Sequence, residues 1–253
     1  MQYGVLTGWM LSVLLLSLRV APAFALAPPF TLTRVPASFR MLLGVGISAC
    51  VVGWQPAATS VADLRVEDLA LVAGRELFLG AIAVMALNLM FGALYVAGRT
   101  IDVQAGFGLA LLIDPSTRNQ VPLAGALLAY GAGLVFFAMD GHIELLRILA
   151  ASLETIPLGA AAPAPSLARL TAFISTVFVA AFGIAGGTIL CLFLTDLAIA
   201  LLSRTAPQLN VLVLGFQVKT LLLFVALPTS FGLAGALFAR LVRITLEAIP
   251  RLL

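Results

Sequence analysis

The sequence predicts an all-α, polytopic integral membrane protein, and two observations carry that prediction. Of 253 residues, 62% are hydrophobic and only 10% are charged, with a mean hydropathy of +1.15, a composition foreign to soluble domains. The apolar residues are also gathered into runs, several of them long enough to cross a hydrocarbon core of about 30 Å at about 1.5 Å per helical residue. Prolines and short polar connectors separate those runs.

Residues 5–27 are apolar apart from Arg19 and read as the first membrane helix, which Pro22, Pro28 and Pro29 end or kink. A cleaved signal peptide is the competing reading, because Ala23-Phe24-Ala25 imitates a cleavage site, but no positive charge precedes the apolar run. Arg34 and Arg40 flank a polar connector. Met41–Trp54 is then short for a crossing and reads as a half-span or an interfacial helix. Gln55–Asp68 holds Pro56, Asp63, Arg65, Glu67 and Asp68 and is a water-facing loop. Leu77–Gly98 is uncharged and follows Arg75 and Glu76, which are placed to reach lipid head groups; Asn88, in its middle, is expected to turn toward another helix.

The stretch Gly98–His142 is the most informative. Two apolar arms, 103–113 and 121–139, flank a polar tip, Asp114–Gln120, that holds one acid and one base. Asp114-Pro115 opens a turn, and Pro122 cannot continue a helix entered before it. Irregular backbone at membrane depth is tolerable only inside protein or beside a water-filled lumen, so the tip faces one of these.

Asp140–Arg169 carries mixed charge, with an amphipathic turn or two at 143–153 and then linker composition over Ile156–Ser166. Leu170–Thr195 is the strongest crossing, and 197–203 continues it toward Arg204. Leu209–Ala239 holds Lys219 and Pro228, is too long for one straight span, and reads as a kinked helix or a re-entrant hairpin bent at Pro228–Gly235. Arg240, Arg243 and Arg251 form a basic tail over 240–253, which by the positive-inside rule places the C-terminus in the cytoplasm.

Arg75, Glu76, Arg99, Asp102, Asp114, Asp196, Arg204 and Lys219 lie in or beside apolar runs. A charge at the bilayer centre costs roughly 2.5–3.5 kcal/mol, so each should face protein or water. Arg99 and Asp102, three apart, can neutralise each other on a helix. Paired charges that hold helices in register are one reading of this set, and a transport or gating role is the other. Small residues at four-residue spacing, Gly4/Gly8, Gly125/Ala129/Gly133, Gly183/Gly187 and Gly235/Ala239, argue for close helix packing.

Composition argues against several classes. The chain has one lysine and scattered arginines, so nucleic acid is not an expected partner. Cys50 and Cys191 lie far apart beside a single histidine, which supports neither a disulfide framework nor a metal site. That histidine, His142, stands without a GxSxG motif or a second ligand, so no catalytic residue is assigned. No internal repeat of the secondary-transporter kind is evident.

One ordered set of short motifs runs over residues 70–220. It comprises Arg75-Glu76-Leu77 with Gly80, Ala97-Gly98, Ile101-Asp102, Gly106, Asp114-Pro115, Gly141-His142, Ser152 with Pro157-Leu158-Gly159, and Arg204 to Val211 followed by Lys219. In that order these pieces resemble the FliR family of flagellar type III export-gate proteins and its injectisome relatives, the SctT proteins. Asp140 stands where the family has asparagine, Ile143 where a second histidine often follows, and Gln217 and Leu221 where small residues or proline are commoner. These departures bear on the branch, flagellar or injectisome, more than on the family.

The resemblance implies a single export-gate domain over 1–253, with a hairpin-like central region at 98–142, built of kinked helical hairpins in a hetero-oligomeric gate. It implies a non-enzymatic, cofactor-free subunit of the flagellar basal body in the bacterial inner membrane. Its partners would be FliP-like, FliQ-like and FlhB-like subunits, the lipid bilayer and the unfolded proteins being exported. It further implies that the loop 112–122 plugs the closed pore through Ile113, Asp114, Pro115, Ser116, Thr117, Arg118, Asn119, Gln120 and Val121. Arg75, Glu76, Arg99, Asp102, Gly106, Arg204 and Lys219 would then be intramembrane packing or charge-pair residues. An injectisome subunit is the alternative within the family. A small-molecule or ion transporter working through Arg99, Asp102 and Lys219 is the alternative outside it.

Overall fold

The computed structural model describes residues 2–33, 35–55, 66–107, 122–160, 166–206, 208 and 210–253. Among them the regular structure is helical, without strands. In chain order the helices are α1 (Gln2–Leu26), α2 (Pro28–Thr31), α3 (Ala37–Trp54), α4 (Leu69–Gln104), α5 (Leu123–Ala138), α6 (Gly141–Thr155), α7 (Leu167–Thr205) and α8 (Val211–Leu252). A 3-10 turn, Val66–Asp68, leads into α4.

Among the described residues five helices are long and apolar enough to cross a membrane: the Gly8–Leu26 part of α1, then α3, α4, α7 and the Val213–Leu252 part of α8. The pair α5 and α6 makes a sixth candidate, broken between Ala138 and Gly141 and bent by 69°. The chain is therefore a multi-pass membrane protein. At the break Asp140 has φ of 55°, a left-handed conformation in which aspartate and asparagine are the common non-glycine residues. The helices α4, α7 and α8 run for 36, 39 and 42 residues. At about 1.5 Å per residue each is nearly twice as long as hydrocarbon is thick, so regular 20-residue crossings fit the sequence poorly.

Proline acts less as a breaker than the sequence suggests. α1 passes through Pro22 to Leu26, and Pro28 and Pro29 instead open α2, at positions where a missing N–H leaves nothing unpaired. Nor is there a re-entrant hairpin at Pro228: α8 is one continuous helix. Pro228 removes one bond of the ladder, and beside it the Thr229 hydroxyl donates to the carbonyls of Val225 at 2.9 Å and Ala226 at 3.0 Å.

The chain forms two compact units. The first comprises 1–89, 136–174 and 243–253, and the second 90–135 and 175–242. In the first, α1 packs on α3 and on the first part of α4, around fully buried Leu15, Leu16, Leu79, Leu87, Leu145 and Leu149. α1 and α3 approach to backbone contact, since a Cβ on Gly44 would lie 2.6 Å from the Ala21 Cα. α1 and α4 do the same at Gly80, whose added Cβ would lie 2.6 Å from the Arg19 carbonyl oxygen. Phe24, Phe30, Phe136 and Phe137 form a contiguous ring cluster beside them.

In the second unit α7 and α8 run antiparallel, joined by a Thr188–Ser230 hydroxyl bond of 2.9 Å and by an ion pair between Asp196 and Lys219. α4 and α5 meet at Gly98 and Gly125. Large apolar side chains face outward, among them Leu134, Phe224 and Leu233, as expected where lipid or protein rather than water covers the chain.

Two glycines two residues apart on α3 test this packing. Gly44→Ala should lose about 1–3 kcal/mol by overpacking against Ala21. Gly46, which meets nothing within 4 Å, should gain about 0.5–1 kcal/mol as alanine. Thermal unfolding of the two variants in detergent should move in opposite directions.

Candidate functional site

Several polar side chains tie helices together inside this apolar frame, and three sets of them include residues that the sequence singled out. The first is in unit one. Arg19 on α1 is fully buried, and its Nε donates to Glu76 Oε2 on α4 at 2.7 Å. Its Nη1 donates to the Ser152 hydroxyl on α6 and to the Ile156 carbonyl, both at 3.0 Å. Gly159, at φ of 83°, turns its N–H onto the other Glu76 oxygen at 3.2 Å. Removing two opposite charges from water costs several kcal/mol per ion, which their attraction repays only when the remaining donors and acceptors are also matched. Here both Glu76 oxygens and two of the three guanidinium nitrogens are matched.

Glu76 is thus not at a head-group surface, where the sequence placed it. Its counter-charge comes from 57 residues upstream. Arg75 beside it is half-buried. A signal did exist in the sequence: a lone arginine inside an apolar run demands an acid from another helix.

The second set lies at the end of α4, in unit two. The Gly106 N–H bonds to the Val103 carbonyl at 3.1 Å and the Phe107 N–H to the Asp102 carbonyl at 3.0 Å. With Gly106 at φ of 89°, this is a Schellman motif, which closes a helix through a left-handed residue. Phe107 then packs edge-on against Phe216 of α8, with ring centroids 6.4 Å apart. Asp102 is 5% exposed and its Oδ1 accepts the Ala124 N–H of α5 at 3.1 Å; it closes no ion pair with Arg99, whose charge nevertheless acts on it.

Asp196 and Lys219 make the third set, across the α7–α8 hairpin. Arg204 is exposed in the last turn of α7, where a cation complements the helix dipole. His142 opens α6 with its ring 5.6 Å from that of Phe137, and its Nδ1 has no hydrogen-bond partner. Among the described residues no group of His, Cys, Asp or Glu could hold a metal ion. The expected plug residues, Ile113 to Val121, lie outside the described residues.

Set beside known proteins, residues 10–244 match the profile of a family described as bacterial export proteins, family 1. The flagellar biosynthetic protein FliR of Bacillus subtilis (strain 168) is 29% identical over 244 residues, 95% of this chain and 93% of that protein. The Escherichia coli (strain K12) protein of the same name is 29% identical over 201 residues, 79% of this chain and 76% of that protein. The Yop proteins translocation protein T of Yersinia pestis is 31% identical over 170 residues, 65% of each chain.

The buried pair yields a contrast between single and double variants. Arg19→Met should cost about 3–5 kcal/mol, because it strands the Glu76 carboxylate in a dry site. The double variant R19M/E76L should recover much of that. Recovery should stay incomplete, since the Ile156 carbonyl and the Gly159 N–H lose their partners. The yield of folded protein extracted from membranes measures both.

Proposed function

The chain belongs to the bacterial export proteins, family 1, and from that premise we propose that it is a non-enzymatic subunit of the flagellar type III protein export gate in the bacterial inner membrane. The observation that carries the flagellar reading is the alignment with the Bacillus subtilis FliR protein, which spans both chains almost end to end. The Yersinia pestis relative supports the injectisome as the second reading, but over 65% of each chain.

The polar chemistry suits a geometric task. The ion pairs Arg19–Glu76 and Asp196–Lys219 and the Asp102 carboxylate each join two helices. In our reading FliP-like, FliQ-like and FlhB-like subunits cover the apolar outer faces and complete a pore, through which unfolded proteins leave the cytoplasm. The Asp114–Gln120 tip seals the closed lumen. Support for the seal comes from its polar, turn-rich sequence between two apolar helices whose facing ends touch at Gly98 and Gly125. The arginines at 240, 243 and 251 support a cytoplasmic C-terminus.

Deleting Asn119 to Val121 should leave the chain assembled with its partners but make cells or proteoliposomes leaky to ions. Unchanged conductance, with assembly intact, would remove the seal. The branch is read by complementation, where restored swimming in a non-motile flagellar gate mutant favours the flagellum and restored effector secretion alone favours the injectisome.

A further inference from the structure

In the first unit, α6 and the end of α8 line an open cleft of about 480 Å³. Both helices are two-faced there. α6 turns Leu145, Leu149 and Leu153 inward and leaves Glu144, Arg147 and Glu154 exposed. The last turns of α8 bury Leu246 and Ile249 and expose Arg243, Glu247 and Arg251. In a chain that crosses a bilayer, helices with one apolar and one charged face belong where hydrocarbon gives way to water.

The walls of the cleft are Ile148, Ala151 and Ile156 on one side and Pro250 and Leu253 on the other. Its volume lies in the range of pockets that hold a small molecule, about 300–1,000 Å³. The hydroxyls in the wall are already engaged, since Ser152 donates to the Leu149 carbonyl at 2.6 Å and Thr155 to the Ser152 carbonyl at 3.1 Å. The inner end is held in place as well: the Ser152 hydroxyl and the Ile156 carbonyl both accept from buried Arg19. Inside, the cleft therefore offers hydrocarbon surface of fixed shape.

Its charges stand at the mouth. Arg147 pairs with Glu144 at 3.4 Å, but both side chains are exposed by half or more, and such a pair in water holds neither partner firmly. Arg251 stands between the lining residues Pro250 and Leu253, and Arg169, at the start of α7, donates from Nη1 to the Arg251 carbonyl at 2.8 Å. Three arginines thus gather around one lining acid, Glu144, with Glu247 exposed one turn back on α8. A peptide segment pushed into this cleft would bring backbone N–H and C=O groups against walls that cannot pair them, whereas an acyl chain brings none.

We propose that the cleft seats an anionic phospholipid, with one acyl chain against Ile148, Ala151 and Ile156 and the phosphate among Arg147, Arg169 and Arg251. Basic pockets between the helices of membrane proteins take such head groups, and each arginine near the head group strengthens binding about fivefold. By fixing Ser152 and Ile156, the Arg19 network shapes the seat.

Native mass spectrometry of the chain, purified from membranes with the subunits that accompany it, tests the site with dioleoylphosphatidylglycerol and dioleoylphosphatidylcholine as probes. Wild type should hold phosphatidylglycerol at least about fivefold more tightly than phosphatidylcholine. Ala151→Phe fills the cleft and should displace lipid of either kind. R147Q/R169Q, which alters two exposed side chains, should bring the two lipids close to equal retention. Equal retention by the wild type, full retention in A151F, or an unchanged preference in R147Q/R169Q would each overturn the site, and the last of these decides if A151F does not fold. A photo-reactive residue in place of Ala151, irradiated in native membranes, identifies the occupant: a lipid adduct supports the proposal, and a crosslink to another polypeptide overturns it.

Discussion

A guanidinium that water cannot reach dictates how the first unit packs. Arg19 cannot be left bare among leucines, and it sits on a helix with no acid of its own. It therefore fixes which helices meet α1 and at what height. Glu76 must face it from α4, and α6 must bring Ser152 and the turn at Ile156 to within 3 Å. The backbone contact at Gly80, one turn beyond Glu76, then follows as steric closure around an electrostatic tie. In a bilayer the usual driving force for helix association is absent, and close packing together with polar bonds must supply it. This chain places the two side by side.

Much of the fold could be read from the apolar runs, because hydrocarbon imposes one requirement on all of them. The runs at 5–27, 77–98 and 170–195 became the cores of α1, α4 and α7, and the short run at 41–54 became α3. The amphipathic segment at 143–153 became α6. At proline the stops and the re-entrant bend fall away and the kinked-helix readings are left, since Pro22 and Pro228 both sit inside helices. Local propensity reads proline as a stop, whereas in hydrocarbon ending the helix would leave more backbone groups unpaired than the one bond that proline removes. Asp140 is a departure that costs little: it replaces the asparagine expected from the family resemblance with the other residue suited to a left-handed turn.

The candidate site was legible in its residue types and not in its pairings. Arg99 and Asp102 are three apart, which suggests a pair, yet the carboxylate turns to the start of α5. Sequence spacing reports neighbours on one helix and is silent on what a second helix presents. The glycine rows show the same limit. Gly8, Gly183 and Gly235 meet no atom within 4 Å, while the tight contacts occur at Gly44, Gly80 and Gly98, outside any of the four-residue rows. Gly125 belongs both to a row and to a backbone contact.

The ties differ in redundancy, and that difference sets how each answers the loss of one bond. Around Arg19 and Glu76, four hydrogen bonds converge from α1, α4, α6 and the turn that follows it, so the loss of any one leaves the others in place. At the start of α5 one carboxylate oxygen holds one N–H, with the second oxygen unmatched. A network held at several points resists local opening until it fails as a whole, whereas a single bond is lost without disturbing the packing of the rest of the unit.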